Sequence, residues 1–194
     1  QVMRLKENDE VTLVFDDGIK HLARVINVEA RQLELVEELA DNVELPVQVT
    51  IASGFPKGDK LEFVTQKVTE LGASQIWAFP ADWSVAKWDG KKLGKKVEKL
   101  EKIALGAAEQ SKRNLVPSIT LFEKKADFLA QFDQFDRIVV AYEESAKEGE
   151  SAALIQAVAG LEKGAKLLFI FGPEGGLSPA EVESFQAKGA VLAG

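Results

Sequence analysis

The sequence predicts two folds in series: a small antiparallel β module over residues 1–45, then an α/β domain with a parallel sheet over residues 46–194. Three observations predict this. Before residue 46, short β-rich segments are separated by tight-turn signals. After it, apolar or β-branched runs alternate with segments whose apolar residues recur every three or four positions. One of those runs, Leu167-Leu168-Phe169-Ile170-Phe171, is apolar at every position, as a strand covered on both faces must be.

In order along the chain, residues 10–15 read as a strand, Asp16-Asp17-Gly18 as a hairpin turn, and residues 21–28 and 32–37 as two further strands. Such strands suit a small antiparallel barrel or sheet. The single histidine, His21, falls in one of them and reads as a strand side chain rather than a base. Residues 41–46 form a linker, and residues 47–52 a buried strand. Asp59 is placed to cap a helix, with Glu62 in the capping-box position, a core stripe at Leu61, Val64, Val68 and Leu71, and Gly72 closing the helix. Residues 75–79 are the next strand. A long helix then carries Leu93, Val97, Leu100 and Ala104 on one face and lysines around the rest. Strands are expected at 119–122 and 137–142, with a short helix near 126–132 between them. A helix at 152–161 and the strand at 166–171 follow. Ser178-Pro179-Ala180-Glu181 starts the last helix with a Ser cap, Pro at N1 and Glu at N3. That helix carries Val182 and Phe185, a thin stripe that suits either a core or a partner. A last strand begins at 189–193.

Composition narrows the function. Of 194 residues, 46% are hydrophobic and 28% charged, so the chain as a whole is not disordered. No run approaches the roughly 18 apolar residues of a membrane span. The absence of cysteine removes disulfides, thiolate metal sites, iron–sulfur clusters and cysteine nucleophiles, and one histidine argues against a Ser-His-Asp triad or a multi-histidine metal site. No metal is expected. The chain opens at Gln1 without an initiator methionine, so a trimmed N-terminus is expected and the lack of a visible targeting signal weighs little; a cytoplasmic setting is the default.

The net charge of −7 hides a basic island. From Ser84 to Arg113 nine basic residues, among them Lys87, Lys92, Lys95 and Lys99, face four acids, and Trp83 and Trp88 lie beside them. That pattern suits a polyanion with stackable bases. It equally suits the solvated face of an amphipathic helix.

The most informative segment is Gly172-Pro173-Glu174-Gly175-Gly176, which follows the fully apolar run and leads into the capped helix. A glycine-rich turn at the carboxyl end of a central parallel strand is where open α/β sheets bind ligands. It lacks the Gly-Lys-Ser/Thr of a phosphate loop and the spacing of a dinucleotide fingerprint, and Glu174 would repel phosphate. A ligand that is cationic or free of phosphate fits better. The end of the preceding strand, Ala141-Tyr142-Glu143-Glu144, should lie on the same sheet edge.

The run Phe171-Gly172-Pro173-Glu174-Gly175-Gly176-Leu177 before a capped helix resembles the SPOUT methyltransferases, and more closely the family of ribosomal RNA small subunit methyltransferase E. Gln1-Val2-Met3-Arg4-Leu5, Lys57-Gly58-Asp59-Lys60-Leu61-Glu62 with Thr69-Glu70-Leu71-Gly72, and Ala107-Ala108-Glu109-Gln110-Ser111 with Arg113, Val116 and Pro117 are similar to that family's ordered motifs, so the resemblance spans the chain. It departs at Trp83, where the family usually has Arg, at Gly106, where it more often has Glu, and at Gly194, beyond which lie the family's last knot segment and helix.

The resemblance implies a PUA-like, RNA-binding β-barrel over 1–45 and a SPOUT domain with a C-terminal trefoil knot over 46–194. It further implies a homodimer, S-adenosylmethionine as methyl donor, and N3 methylation of a uridine in 16S ribosomal RNA, free or within the small ribosomal subunit. Carried onto this sequence, the donor site comprises Ala141, Tyr142, Glu143, Gly172, Pro173, Glu174, Gly175, Gly176 and Gly194. Glu174 is the candidate base or partner of the sulfonium, and Arg113 the candidate for holding a phosphate or the uracil oxyanion. Each also has a plainer role, Glu174 as a helix N-terminal acid and Arg113 as a surface charge. Arg4, Lys87, Lys92, Lys95, Lys99 and Arg113 are the expected RNA contacts. The alternative function is a non-catalytic RNA-binding module; calorimetric binding of S-adenosylmethionine separates the two.

Overall fold

The computed structural model describes residues 4–142 and 151–193. They form two compact units: Gln1–Glu44 together with Lys112–Leu115, and Leu45–Ser111 together with Val116–Gly194.

The first unit is a meander of β1 (Glu10–Val14), β2 (Lys20–Asn27) and β3 (Gln32–Leu39), paired antiparallel in that order. Gly18 makes the β1–β2 turn possible with φ +77°, and the Ile19 N–H donates to Asp17 Oδ1 at 2.9 Å. His21 sits on β2 as a strand side chain, its ring edge-on to Phe15. Every residue of β3 but the last is exposed.

Residues 41–46 do more than link. The Glu44 carboxylate accepts the backbone N–H groups of Asn114 at 2.9 Å and Leu115 at 3.1 Å, together with the Arg113 guanidinium. Asn114 Nδ2 donates to the Gly18 carbonyl at 2.9 Å, and its Oδ1 accepts from Val43 N–H at 3.2 Å. Thus 112–115, a segment outside the expected 1–45, completes the first unit. Burial pushes the Glu44 carboxyl up, but the hydrogen bonds and charge of Arg113 and the two N–H donors hold it below the ordinary value.

The second unit has six parallel strands in the order β6-β5-β4-β8-β7-β9. Its elements are β4 (Gln48–Gly54), α1 (Lys60–Glu70), β5 (Gln75–Phe79), α2 (Gly90–Gln110), β6 (Ser118–Leu121), α3 (Lys125–Leu129), a 3-10 turn at Phe132–Gln134, β7 (Arg137–Ala141), α4 (Ser151–Val158), β8 (Lys166–Phe171), α5 (Pro179–Ala187) and β9 (Val191–Ala193). β8 is central, and its side chains alternate between two cores. Leu168 and Ile170 join Trp77, Phe79, Phe128, Phe132, Val182 and Phe185 on one face; Leu167 and Phe169 join Val139, Ala157 and Ala193 on the other. Val182 and Phe185 are therefore taken up by the chain's own core.

Two expectations for α1 change. Its buried row is Leu61, Thr65 and Thr69, spaced by four, while Val64 and Val68 are half-buried and Leu71 is 76% exposed. Thr69 meets its burial by donating its hydroxyl to the Thr65 carbonyl at 2.7 Å. The capping box is absent too: Asp59 makes no side-chain cap bond, and Glu62 instead meets Lys99 Nζ of α2 at 2.5 Å. Gly72 does close the helix, with φ +103°; a Cβ there would lie 2.8 Å from Leu45 Cγ.

The Glu44–Arg113 pair has side chains only 13% and 2% exposed. Removing one partner of a buried pair strands the other charge, so Arg113→Ala should destabilise the first unit by about 3–5 kcal/mol in denaturant unfolding. Because the folded value of Glu44 is depressed, its contribution is complete above the ordinary carboxyl range and is lost as pH falls through the lowered value. The wild type should therefore lose stability more steeply with acid than Glu44→Gln does.

Candidate active site

The site lies at the carboxyl edge of the parallel sheet. Register pairs Ser53 of β4 with Phe171 of β8, Val140 of β7 with Ile170, and Ala141 with Ala193 of β9, so four adjacent strands end level. The chain leaves β8 directly into Gly172–Gly176.

That loop doubles back on itself. Gly176 N–H donates to the Pro173 carbonyl at 2.8 Å, with Gly176 at φ +78°. A Cβ on Gly172 would meet the Gly176 backbone at 2.5–2.8 Å, and one on Gly54, at the end of β4, would meet Pro173 Cδ at 2.4 Å. Both glycines are required by backbone approach. Gly175 packs against Trp83, which would lie 3.2 Å from an added Cβ.

Two polar anchors hold the loop. The Glu174 carboxylate accepts the Lys57 N–H at 3.1 Å and pairs with Lys60 Nζ at 2.9 Å, tying the loop to the start of α1. The Lys60 ammonium, helped by backbone N–H groups, lowers the Glu174 pKa from 4.5 to about 2. Glu174 is thus a fixed anion and a poor proton acceptor. The second anchor lies at the start of α5. The Ser178 hydroxyl accepts from Glu181 N–H at 3.1 Å, while the Glu181 carboxylate accepts from Ser178 N–H at 3.0 Å, a complete capping box. Glu181, 1% exposed, also accepts the Asp82 N–H at 2.8 Å and pairs with Lys125 Nζ at 2.6 Å. Asp82 accepts from the Ser178 hydroxyl at 2.6 Å and pairs with Lys125. Hydrogen bonds from Lys125 and Ser178 lower the Asp82 carboxyl; burial presses the Lys125 ammonium down, but its two carboxylates raise it overall.

The expected site residues divide into three groups. Gly172, Pro173, Glu174, Gly175 and Gly176 form one loop, and Ala141 and Tyr142 stand at the end of the neighbouring β7, where Tyr142 N–H donates to the Ala193 carbonyl at 3.0 Å. Glu143 and Gly194 lie outside the described residues. Arg113 belongs to the first unit, buried against Glu44, so its guanidinium holds that carboxylate instead of a phosphate or an oxyanion. Arg4, Lys87, Lys92, Lys95 and Lys99 are exposed, with Lys99 paired to Glu62. Asp82, Lys125 and Glu181 went unread as site residues; only the Ser-Pro-x-Glu cap hinted at them. Among the described residues no group of three or more His, Asp or Glu is arranged to hold a metal ion, and no helix is long and apolar enough to cross a membrane.

Comparisons bear on this geometry. Residues 43–194 match the family model of an RNA methyltransferase domain, and residues 1–38 that of an RNA methyltransferase PUA domain. Ribosomal RNA small subunit methyltransferase E of Bacillus subtilis (strain 168) is 45% identical over 195 aligned residues, covering 100% of this chain and 76% of that protein. The crystal structure of a hypothetical protein superposes with a TM-score of 0.88 at 42% identity, over 98% of this chain and 76% of its own. Ribosomal RNA small subunit methyltransferase E from Neisseria gonorrhoeae, bound to S-adenosyl methionine, superposes with a TM-score of 0.79 at 23% identity, over 98% and 76%; at that identity the likeness is one of fold.

The Glu174 anchor has a direct check. In a carboxyl-carbon NMR titration Glu174 should titrate at about 2 in the wild type and shift toward 4.5 in Lys60→Met. A wild-type midpoint already near 4.5 would show that the ion pair does not persist in solution.

Proposed function

Because the chain belongs to the ribosomal RNA small subunit methyltransferase E family, we propose that it catalyses S-adenosylmethionine-dependent methylation of N3 of a uridine in 16S ribosomal RNA. The observation that carries this reading is the Gly172–Gly176 loop at the level carboxyl edge of β4, β8, β7 and β9.

The residues present fit the donor. An added Cβ on Gly176 would meet nothing nearer than 3.9 Å, so that stretch offers bare backbone with room above it. Gly172–Gly176 with Ala141 and Tyr142 would hold it. When bound, the donor supplies an electrophilic methyl on a sulfonium. The chain's own work is positioning and electrostatics. Glu174 fixes the loop to Lys57 and Lys60, and at a pKa of about 2 it takes no proton from uracil N3 at neutral pH. Asp82, Ser178, Glu181 and Lys125 act one layer out and set where the loop stands. The lysine-rich side of α2, with Lys91, Lys92 and Lys95 exposed, supplies the RNA electrostatics. The trefoil knot and the homodimer belong to this same reading, as does an RNA-binding role for the N-terminal module with Arg4.

Incubation with methyl-labelled S-adenosylmethionine and 16S rRNA or small subunits, followed by nucleoside mass spectrometry, should yield 3-methyluridine. A methylated product of any other kind would refute the N3 assignment, and a wild-type chain that fails to bind the donor in calorimetry would favour the non-catalytic RNA-binding module. Gly172→Ala should weaken donor affinity at least tenfold, roughly the effect of about 1.4 kcal/mol of lost fit, with the sheet intact by circular dichroism. Replacing Lys91, Lys92 and Lys95 with Gln should flatten the salt dependence of RNA binding by about 2 logarithmic units per decade, at roughly 0.7 per lost single-strand contact. An unchanged slope would make those lysines a solvated face only.

A further inference from the structure

The three tryptophans have different surroundings. Trp77 is 4% exposed within the core. Trp88 is half-buried, packed on Phe55 at 4.4 Å between ring centroids, with the Lys96 ammonium 4.3 Å from its ring centroid. Trp83 alone stands open, with 49% of its surface exposed, at the rim of the glycine loop, where its ring edge comes within 3.9 Å of the Cβ position of Gly176.

Its backbone is pinned on both sides. Asp82, just before it, donates its N–H to Glu181 and receives the Ser178 hydroxyl; Ser84, just after it, donates its N–H to the Ala81 carbonyl at 2.9 Å, while Ala81 N–H donates to Ser84 Oγ at 3.2 Å. A half-open indole on a pinned backbone, two residues from Val85, itself 67% exposed, and close in sequence to exposed Lys87, Lys91 and Lys92, combines an aromatic platform with a basic flank. That is the chemistry of single-strand recognition, in which bases stack on aromatic rings while cations follow the phosphates.

We propose that Trp83 is a stacking site for an unpaired nucleobase of the substrate RNA, held at the mouth of the Gly172–Gly176 loop. The inference rests on the RNA methyltransferase reading above, and it makes Trp83 a binding residue of the RNA with no part in holding the donor. The ring lies beside Gly175 and Gly176, where the absence of side chains leaves room for it, on a backbone already held by hydrogen bonds.

The test uses the full chain without donor, so that it stands apart from any measurement of methyl transfer. A short uridine-containing single-stranded RNA is titrated against tryptophan emission, beside a ribose-phosphate oligomer of equal length that lacks bases. The RNA should quench the wild type and the base-free oligomer should not. Trp83→Phe should lose the quench yet keep most of the RNA affinity, because a smaller ring still stacks. Trp83→Leu, which keeps an apolar contact to the glycines, should weaken RNA binding at least about fivefold, the lower end of what one base stack contributes, with donor affinity and melting temperature unchanged. Equal RNA affinity in Trp83→Leu and wild type would overturn the proposal, as would a loss of donor affinity without a loss of RNA affinity, which would assign the ring to the donor pocket.

Discussion

The carboxylate of Glu181 is the fixed point of the site. It is almost wholly buried and is engaged by the N–H of Ser178, the N–H of Asp82 and the ammonium of Lys125. Each donor comes from a different place in the chain, namely the cap of α5, the loop after β5 and the start of α3. One buried charge therefore sets three segments at the carboxyl edge of the sheet. The glycine loop, suspended between the end of β8 and that cap, has little freedom left. Its other tether, Glu174 to Lys57 and Lys60, fixes it to the loop after β4. The parallel register supplies a level edge, and these two carboxylates turn the edge into a site of definite shape.

Much of this was legible locally. The all-apolar run at Leu167–Phe171 had to be an inner strand, and Ser178-Pro179-Ala180-Glu181 had to open a helix, because each signal sits within a few residues. Gly72 likewise marked its own helix end. What escaped reading depended on distant partners. Thr65 and Thr69 look polar, yet they form the buried row of α1, because a threonine hydroxyl can bond back to its own helix. Glu62 has capping-box spacing, but a lysine on the neighbouring helix draws it away. Arg113 sits in a basic island and reads as an RNA contact until Glu44, 69 residues earlier, is brought against it.

The same division runs through the candidate site. The glycine loop was recognisable from composition alone as a tight turn at the carboxyl end of a central strand. Which glycine meets what was not: Gly172 yields to Gly176, Gly54 to Pro173, and Gly175 to Trp83, and these are contacts of the folded chain. Glu174 showed its sign in the sequence but not its basicity, since Lys57 and Lys60 reach it across 117 and 114 positions of chain. The role of a titratable group follows from its neighbours, and those are set by topology.

The clamp on Glu44 also orders events during biosynthesis. Strands β1, β2 and β3 leave the ribosome early, but the groups that engage Glu44 follow 69–71 residues later, after β4, α1, β5 and α2. At 5–20 residues per second, that is a wait of roughly 4–14 s. Throughout it the meander has its strands but lacks the segment that completes it, and the Glu44 carboxylate is still hydrated. The N-terminal module thus closes only after β4, α1, β5 and α2 have been made, and a nascent chain halted before residue 113 carries that module without its lock.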